Sequence, residues 1–209
     1  MTSIRVSRDV SAGELQPAIE WLRQGGVVAY PTDTFYGLAV DPRSDAAVQS
    51  VFDLKGRGRD AALPLIAASL EQVDEFCGPL SAATRVLASR AWPGPLSLIC
   101  DAPPEVSVAV HAGARTIAVR VPAHPIARAL AAGFGVPVTA TSANRSGESP
   151  AETTAGLGAL ARDPRVMVID AGPAPGGAPS TIVDARGDAP RLVRAGAVAW
   201  DRVLRFLQT

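Results

Sequence analysis

Lysine is almost absent from this chain of 209 residues: of its 20 basic side chains, 19 are arginine and one is Lys55. Arginine is used wherever arginine serves. The single lysine is therefore either a chance surface position or a site that needs a compact, rotatable ammonium against phosphate or carboxylate. Histidine is nearly as scarce, and His111 and His124 alone cannot build a multi-histidine metal site. Cys77 and Cys100 lie too far apart for a CxxC pair and have no histidine beside them. Neither zinc nor a disulfide framework is indicated, and both read as core thiols. Acidic and basic residues balance to a net charge of +0, which argues against a protein coated in positive charge while allowing a local basic cleft. No apolar run reaches the length of about 18 residues that a membrane span requires. The opening MTSIRVSRDV also lacks the apolar centre of a secretory signal, so a cytoplasmic location is expected. Also missing are the GxxxxGK[ST] phosphate loop, the GxGxxG dinucleotide turn, HExxH and the GxSxG nucleophile elbow.

What is present suits a folded core: 47% of the residues are hydrophobic, ample for one domain spanning residues 1–209. Leu15, Ala18, Ile19 and Leu22 recur at helical spacing until Gly25-Gly26 stops them. Val27 to Tyr30 reads as a buried strand running into the polar turn Pro31-Thr32-Asp33-Thr34, where the proline ends the ladder. A helix capped at Ser44 or Asp45 turns Ala47, Val48, Val51 and Phe52 inward and delivers Lys55-Gly56-Arg57-Gly58-Arg59 at its C-terminal end. Leu63 to Ala67 is expected as a short strand, followed by a capping box of Ser69 and Gln72. A further helix capped by Ser81 should end before Trp92, ahead of a strand at Leu96 to Cys100. Alternation from Thr116 to Val121 puts Thr116 and Arg120 together on the polar face of a strand bordering a cleft. His124 opens the helix signals of Pro125 to Ala132 and is read as loop packing. Strand signals at Val136 to Thr141 lead into the turn Ser142-Ala143-Asn144-Arg145-Ser146-Gly147. Residues Ala171 to Pro179 form a glycine- and proline-rich loop, mobile or irregular; Ser180 to Asp184 and the segment holding Arg194 read as strands, before a helix carrying Val203, Leu204 and Leu207. Interleaved helices and strands, with no repeat and no dividing linker, indicate one α/β domain around a twisted sheet.

The chemistry-bearing residues are hydroxyls and cations at strand ends: Thr32, Lys55, Arg57, Arg59, Thr116, Arg120, Ser142, Asn144, Ser180 and Arg194. In open α/β sheets such loops converge on a crevice. Five cations gathered there would repel one another by several kcal/mol in a poorly solvated cleft unless a polyanion such as a nucleoside triphosphate belonged with them. The SANRSG turn can offer backbone N–H groups to an anion, although such a turn alone is often just a turn.

In order, YPTDTFYGLAVDP, the KGR of Lys55 to Arg57, WPGPLSLI, TIAVRVPAHPIA, TATSANRSG, PSTIVD and LVRAG resemble the YrdC-type threonylcarbamoyl-AMP synthase family in its short, single-domain form. The matching segments run from about Gly25 to Gly196, and the pairing of KxR with SxN is far more specific than either alone. The resemblance implies a twisted mixed sheet flanked by helices around a concave, positively charged cleft. It implies that Lys55, Arg59, Thr116, Ser142, Asn144 and Arg194 hold ATP, and that Thr32, Arg120, Ser180 and the backbone near Ala140 hold L-threonine, with Arg57 facing phosphates or carbamate. The implied reaction joins ATP, bicarbonate and L-threonine into threonylcarbamoyl-AMP and pyrophosphate, for a tRNA-threonylcarbamoyl transferase complex. Mg2+ is expected on the phosphates, held largely by substrate oxygens and water, because few carboxylates are available. Two positions depart from the family pattern: Gly58 replaces the usual proline after KGR, and Ala67-Ala68 stand where longer relatives carry a histidine. No room is expected after Arg194 for the longer relatives' additional domain, which leaves retention of the intermediate to the Ala171 to Pro179 loop or a partner enzyme.

Two other readings compete. One is a carbamoyltransferase that adenylates carbamate; such enzymes usually carry extra domains. The other is a module that binds tRNA or duplex RNA through the same cationic cleft, against which the neutral net charge and the 5% aromatic content weigh.

Overall fold

The computed structural model describes residues 2–7, 10, 12–58 and 61–208. Eleven strands among them divide between two mixed sheets rather than joining in one. The first sheet runs β1 (Thr2–Arg5), β9 (Val166–Asp170), β2 (Val27–Pro31), β3 (Tyr36–Ala39) and β8 (Thr141–Ser142). The second runs β11 (Arg191–Arg194), β10 (Thr181–Asp184), β5 (Leu96–Asp101), β6 (Thr116–Arg120), β4 (Leu65–Ile66) and β7 (Val138–Thr139). Both contain parallel and antiparallel neighbours: β1, β9 and β2 lie parallel, whereas β3 opposes both β2 and β8.

Alternation along the central strands explains how one sheet serves two cores. On β2, Val27 and Ala29 face one apolar cluster while Val28 and Tyr30 face another. Val166 and Val168 of β9 follow the first, Met167 and Ile169 the second. Helices α1 (Ala12–Arg23) and α6 (Pro125–Phe134) close the second cluster with Leu15, Ile19, Leu22, Ile126 and Leu130. The first cluster lies between the sheets, where α2 (Asp45–Lys55) adds Ala47, Val48, Val51 and Phe52 to Leu65 and Val119 of the second sheet. Each fully buried Val, Leu, Ile or Phe side chain here contributes about 1.5–3 kcal/mol of hydrophobic stabilisation. A third cluster joins Leu96, Leu98 and Val183 to Leu87 of α4 (Ala82–Ala91) and Val203 of α7 (Trp200–Gln208).

Local chemistry sets the boundaries. Ser44 caps α2 by accepting from Ala47 N at 3.3 Å, and Ser81 caps α4 by accepting from Thr84 N at 3.1 Å. Ahead of α3 (Leu70–Cys77), Ser69 accepts from Gln72 N, but the Gln72 side chain returns to Ala68 N rather than to Ser69, so the box closes one residue early. Pro31 is the last paired residue of β2, opposite Tyr36. The strand expected over Leu63 to Ala67 pairs only at Leu65–Ile66.

The extended run at Val136 to Thr141 is not a single strand. Val138–Thr139 belongs to the second sheet, Thr141–Ser142 to the first, and the chain crosses between them at Ala140, whose N–H bonds Pro64 O at 2.8 Å. That crossing is where the two sheets meet. Cys77 packs against the cluster that contains the buried Cys100, whose thiol is pushed up by its hydrogen bond to Cys77 and by burial.

Candidate active site

A cavity of about 460 Å³ opens along the seam of the two sheets. The first sheet supplies Thr32 from the β2–β3 turn and Ser142 at the end of β8; the second supplies Arg120 at the end of β6, Ser180 before β10 and Arg194 at the end of β11. Ala140 lines it from the crossing, and Arg57 enters from the end of α2. Gly56 makes that entry possible. At φ 59° it sits in the left-handed region, closes α2 and lets Arg57 N reach back to Phe52 O at 3.1 Å.

The cavity's polar groups are held before any ligand arrives. Thr32 Oγ1 donates to Phe35 O at 2.7 Å and accepts from Thr34 N at 3.1 Å, so the turn fixes its hydroxyl. Ser180 stands between two partners: its Oγ is 3.0 Å from Ser97 Oγ and accepts from Arg194 Nη2 at 3.1 Å. Arg194 also donates from Nε and Nη2 to Ser180 O at 3.2 and 2.6 Å. Burial, then the nearby Arg120, lower the pKa of Arg194, as expected for a half-buried cation beside another cation. Arg120 forms an ion pair with Asp33. Among the described residues the Arg57 side chain makes no hydrogen bond or ion pair, and its guanidinium lines the cavity with donors to offer a ligand.

Lys55 lies under the site rather than in its lining. Only 3% exposed, it donates from Nζ to Ser142 O at 2.5 Å and Asn144 O at 2.8 Å, while its own carbonyl accepts from Ser146 N at 2.9 Å. One residue thus clasps the SANRSG turn at three points. Burial, and secondarily Arg57, pull its pKa down to about 8. Asn144 Nδ2 donates to Arg145 O and Glu148 O at 2.9 and 2.8 Å, and its buried Oδ1 has no partner among the described residues; like Lys55, it is not among the cavity's lining residues.

Thr116 stands at the opposite end of β6 from Arg120, paired with Asp101, and is also not among the lining residues. Arg59 lies outside the described residues. Ala67 is fully buried. His124, just ahead of α6, is buried as well. The loop 171–179 is irregular but fastened: Tyr36 Oη donates to Gly172 O at 2.7 Å, Ala174 N to Glu152 O at 2.8 Å and Gly176 N to Thr34 O at 2.7 Å. Asp33 and Ser97, which touch Arg120 and Ser180, were not singled out by sequence; their only signals are their places in YPTDT and WPGPLSLI.

The sequence pattern of the Sua5/YciO/YrdC family, described as telomere recombination, matches residues 20–196. A threonylcarbamoyl-AMP synthase of Thiobacillus denitrificans is 40% identical over 174 residues, 81% of this chain and 90% of that protein. The chain belongs to the Sua5/YciO/YrdC family. Another family member, the threonylcarbamoyl-AMP synthase of Bacillus subtilis, is 36% identical over 192 residues, 91% of this chain, yet the chain spans only 55% of that protein's length. The crystal structure of P. abyssi Sua5 complexed with L-threonine superposes with a TM-score of 0.90 at 31% identity, covering 99% of this chain and 61% of that one. The family's fold is therefore present here over nearly the whole chain, including every element that lines the cavity. Among the described residues no helix is long and apolar enough to cross a membrane.

Proposed function

We propose that this protein is an L-threonylcarbamoyladenylate synthase, a nucleotidyltransferase acting in the cytoplasm as a single YrdC-like unit over residues 1–209. It joins ATP, bicarbonate and L-threonine into threonylcarbamoyl-AMP and pyrophosphate, and the product passes to the tRNA-threonylcarbamoyl transferase complex. The observation that carries this reading is the convergence of Arg57, Arg120 and Arg194 with Thr32, Ser142 and Ser180 on one cavity, in a chain whose relatives bear that name.

In this reading Arg120 takes the carboxylate of threonine, with Thr32, Ser180 and the Ala140 backbone around the rest of the amino acid. Ser142 and Arg194 hold ATP from the cavity lining, Asn144 and Thr116 meet parts of the nucleotide that extend beyond that lining, Arg59 adds a further contact, and the Lys55 ammonium acts on the triphosphate across the turn that it holds. The threonine amine adds to CO2 derived from bicarbonate, releasing a proton and leaving an N-carboxylate. A carboxylate oxygen then bonds to the α-phosphorus of ATP as the bond to the β-phosphate oxygen breaks and pyrophosphate departs. No side-chain nucleophile is required. The protein orients the two reactants and supplies fixed positive charge where charge builds on the phosphates, with Arg57 as the principal group.

Magnesium does not fit as a resident ion. Among the described residues no three His, Cys, Asp or Glu side chains gather to hold a metal ion, and Asp33 is already engaged by Arg120. Any Mg2+ would arrive with the triphosphate, on phosphate oxygens and water. Mass spectrometry of the product formed from ATP, L-threonine and 13C-bicarbonate tests the activity. Labelled threonylcarbamoyl-AMP is expected; pyrophosphate release independent of threonine, or a carbamoyl adenylate without the amino acid, would overturn it.

A further inference from the structure

Asp33 belongs to the turn between β2 and β3 of the first sheet, whereas Arg120 ends β6 in the second. Their side chains are 12% and 7% exposed and form an ion pair across the seam. The other Asp33 oxygen accepts from the main-chain N–H of Ala123 at 3.2 Å, so the carboxylate is pinned to the chain just beyond Arg120. Among the described residues Arg120 has no second side-chain partner, and its remaining N–H donors are left to the cavity that it lines.

Resting on the functional reading above, we infer that Asp33 is the positioning residue for amino-acid recognition, holding the Arg120 guanidinium so that its free donors meet the substrate carboxylate. Two effects of Asp33 oppose each other. Its negative charge weakens the cavity's attraction for a carboxylate, while its hydrogen bond fixes the plane of the guanidinium fork. Burial decides between them. An arginine this enclosed, with no protein acceptor and with the cation of Arg194 nearby, has no reason to keep a plane suited to bidentate recognition. With Asp33 present, one edge of the fork is satisfied by the protein and the rest is presented already oriented, so less ordering remains for the ligand to impose.

Calorimetric titration with L-threonine and with L-threoninamide, which keeps the amine and hydroxyl but lacks the carboxylate, tests this. Wild-type protein should prefer L-threonine by at least about tenfold. Asp33→Ala should remove most of that preference by weakening L-threonine alone, with affinities for the amide and for ATP unchanged. Asp33→Asn keeps the shape and one acceptor oxygen, and should lose at least about threefold of the preference. General loosening of the site would weaken both ligands equally, and that result would overturn the inference. So would an unchanged preference in folded Asp33→Ala or, should that variant not fold, in Asp33→Asn. If the wild-type protein binds neither ligand, the functional reading itself fails and this inference with it; a wild type with the preference and variants that keep it sinks this inference alone.

Discussion

Replacing Lys55 by methionine keeps the length of the side chain and removes only its charge and donors, and the proton balance of nucleotide binding should change with it. Lys55 is 3% exposed, its ammonium bonded to two main-chain carbonyls and its pKa pulled from its ordinary 10.5 to about 8 by burial and then by Arg57. That depression corresponds to about 3 kcal/mol against the charged form, from burial and Arg57 together. A triphosphate across the turn supplies counter-charge and lifts the pKa back toward its ordinary value, so binding takes up a proton wherever the free protein has lost one. Uptake should be about 0.1 proton per nucleotide at pH 7, about 0.5 at pH 8 and about 0.9 at pH 9, and affinity should fall as pH rises through that range. Folding carries the opposite sign. Because the folded pKa lies below the unfolded one, the unfolded chain holds more protons between pH 8 and 10.5, and the contribution of Lys55 to stability improves as pH rises across that window. Titrating ATP into the protein at each pH, in two buffers of contrasting ionisation heat, measures the uptake directly. Lys55→Met should show none of it. Equal uptake in both proteins, or none in the wild type at pH 9, refutes the reasoning.

The helices around the site were legible because their signals are local. Ser44, Ser69 and Ser81 make the cap bonds that their spacing suggests, and the apolar periods of α1 and α2 face the clusters they should. Lys55 stood out through its scarcity and through the KGR motif, yet its place beneath the turn rather than in the cavity depends on carbonyls 87 and 89 positions away. The division of Val136 to Thr141 between two sheets has no local signature, since extended residues look alike whichever partner they pair with. Neither β1 nor β9 was anticipated, although their parallel pairing completes the first sheet. Asp33 and Ser97 were passed over for the same reason as the crossing: their roles are set by Arg120 and Ser180, 87 and 83 positions away, and a polar residue in a turn or strand does not announce a distant partner.

Two further substitutions separate chemistry from scaffolding at the seam. Arg57→Ala removes a side chain with no partner among the described residues, so thermal stability should be unchanged while threonine- and bicarbonate-dependent pyrophosphate release falls by about 100-fold; a variant that melts normally and retains full turnover would remove Arg57 from the reaction. Gly196→Ala acts in the opposite way, because a methyl group there meets the main chain of Pro179, Ser180 and Thr181, which cannot swing aside as a side chain would. Relief requires Ser180 to move relative to Arg194, so a loss of about 1–3 kcal/mol in chemical denaturation should come with weakened binding of both ATP and threonine; destabilisation with both affinities intact would mean that the close approach at Gly196 supports the fold without setting the geometry of the site.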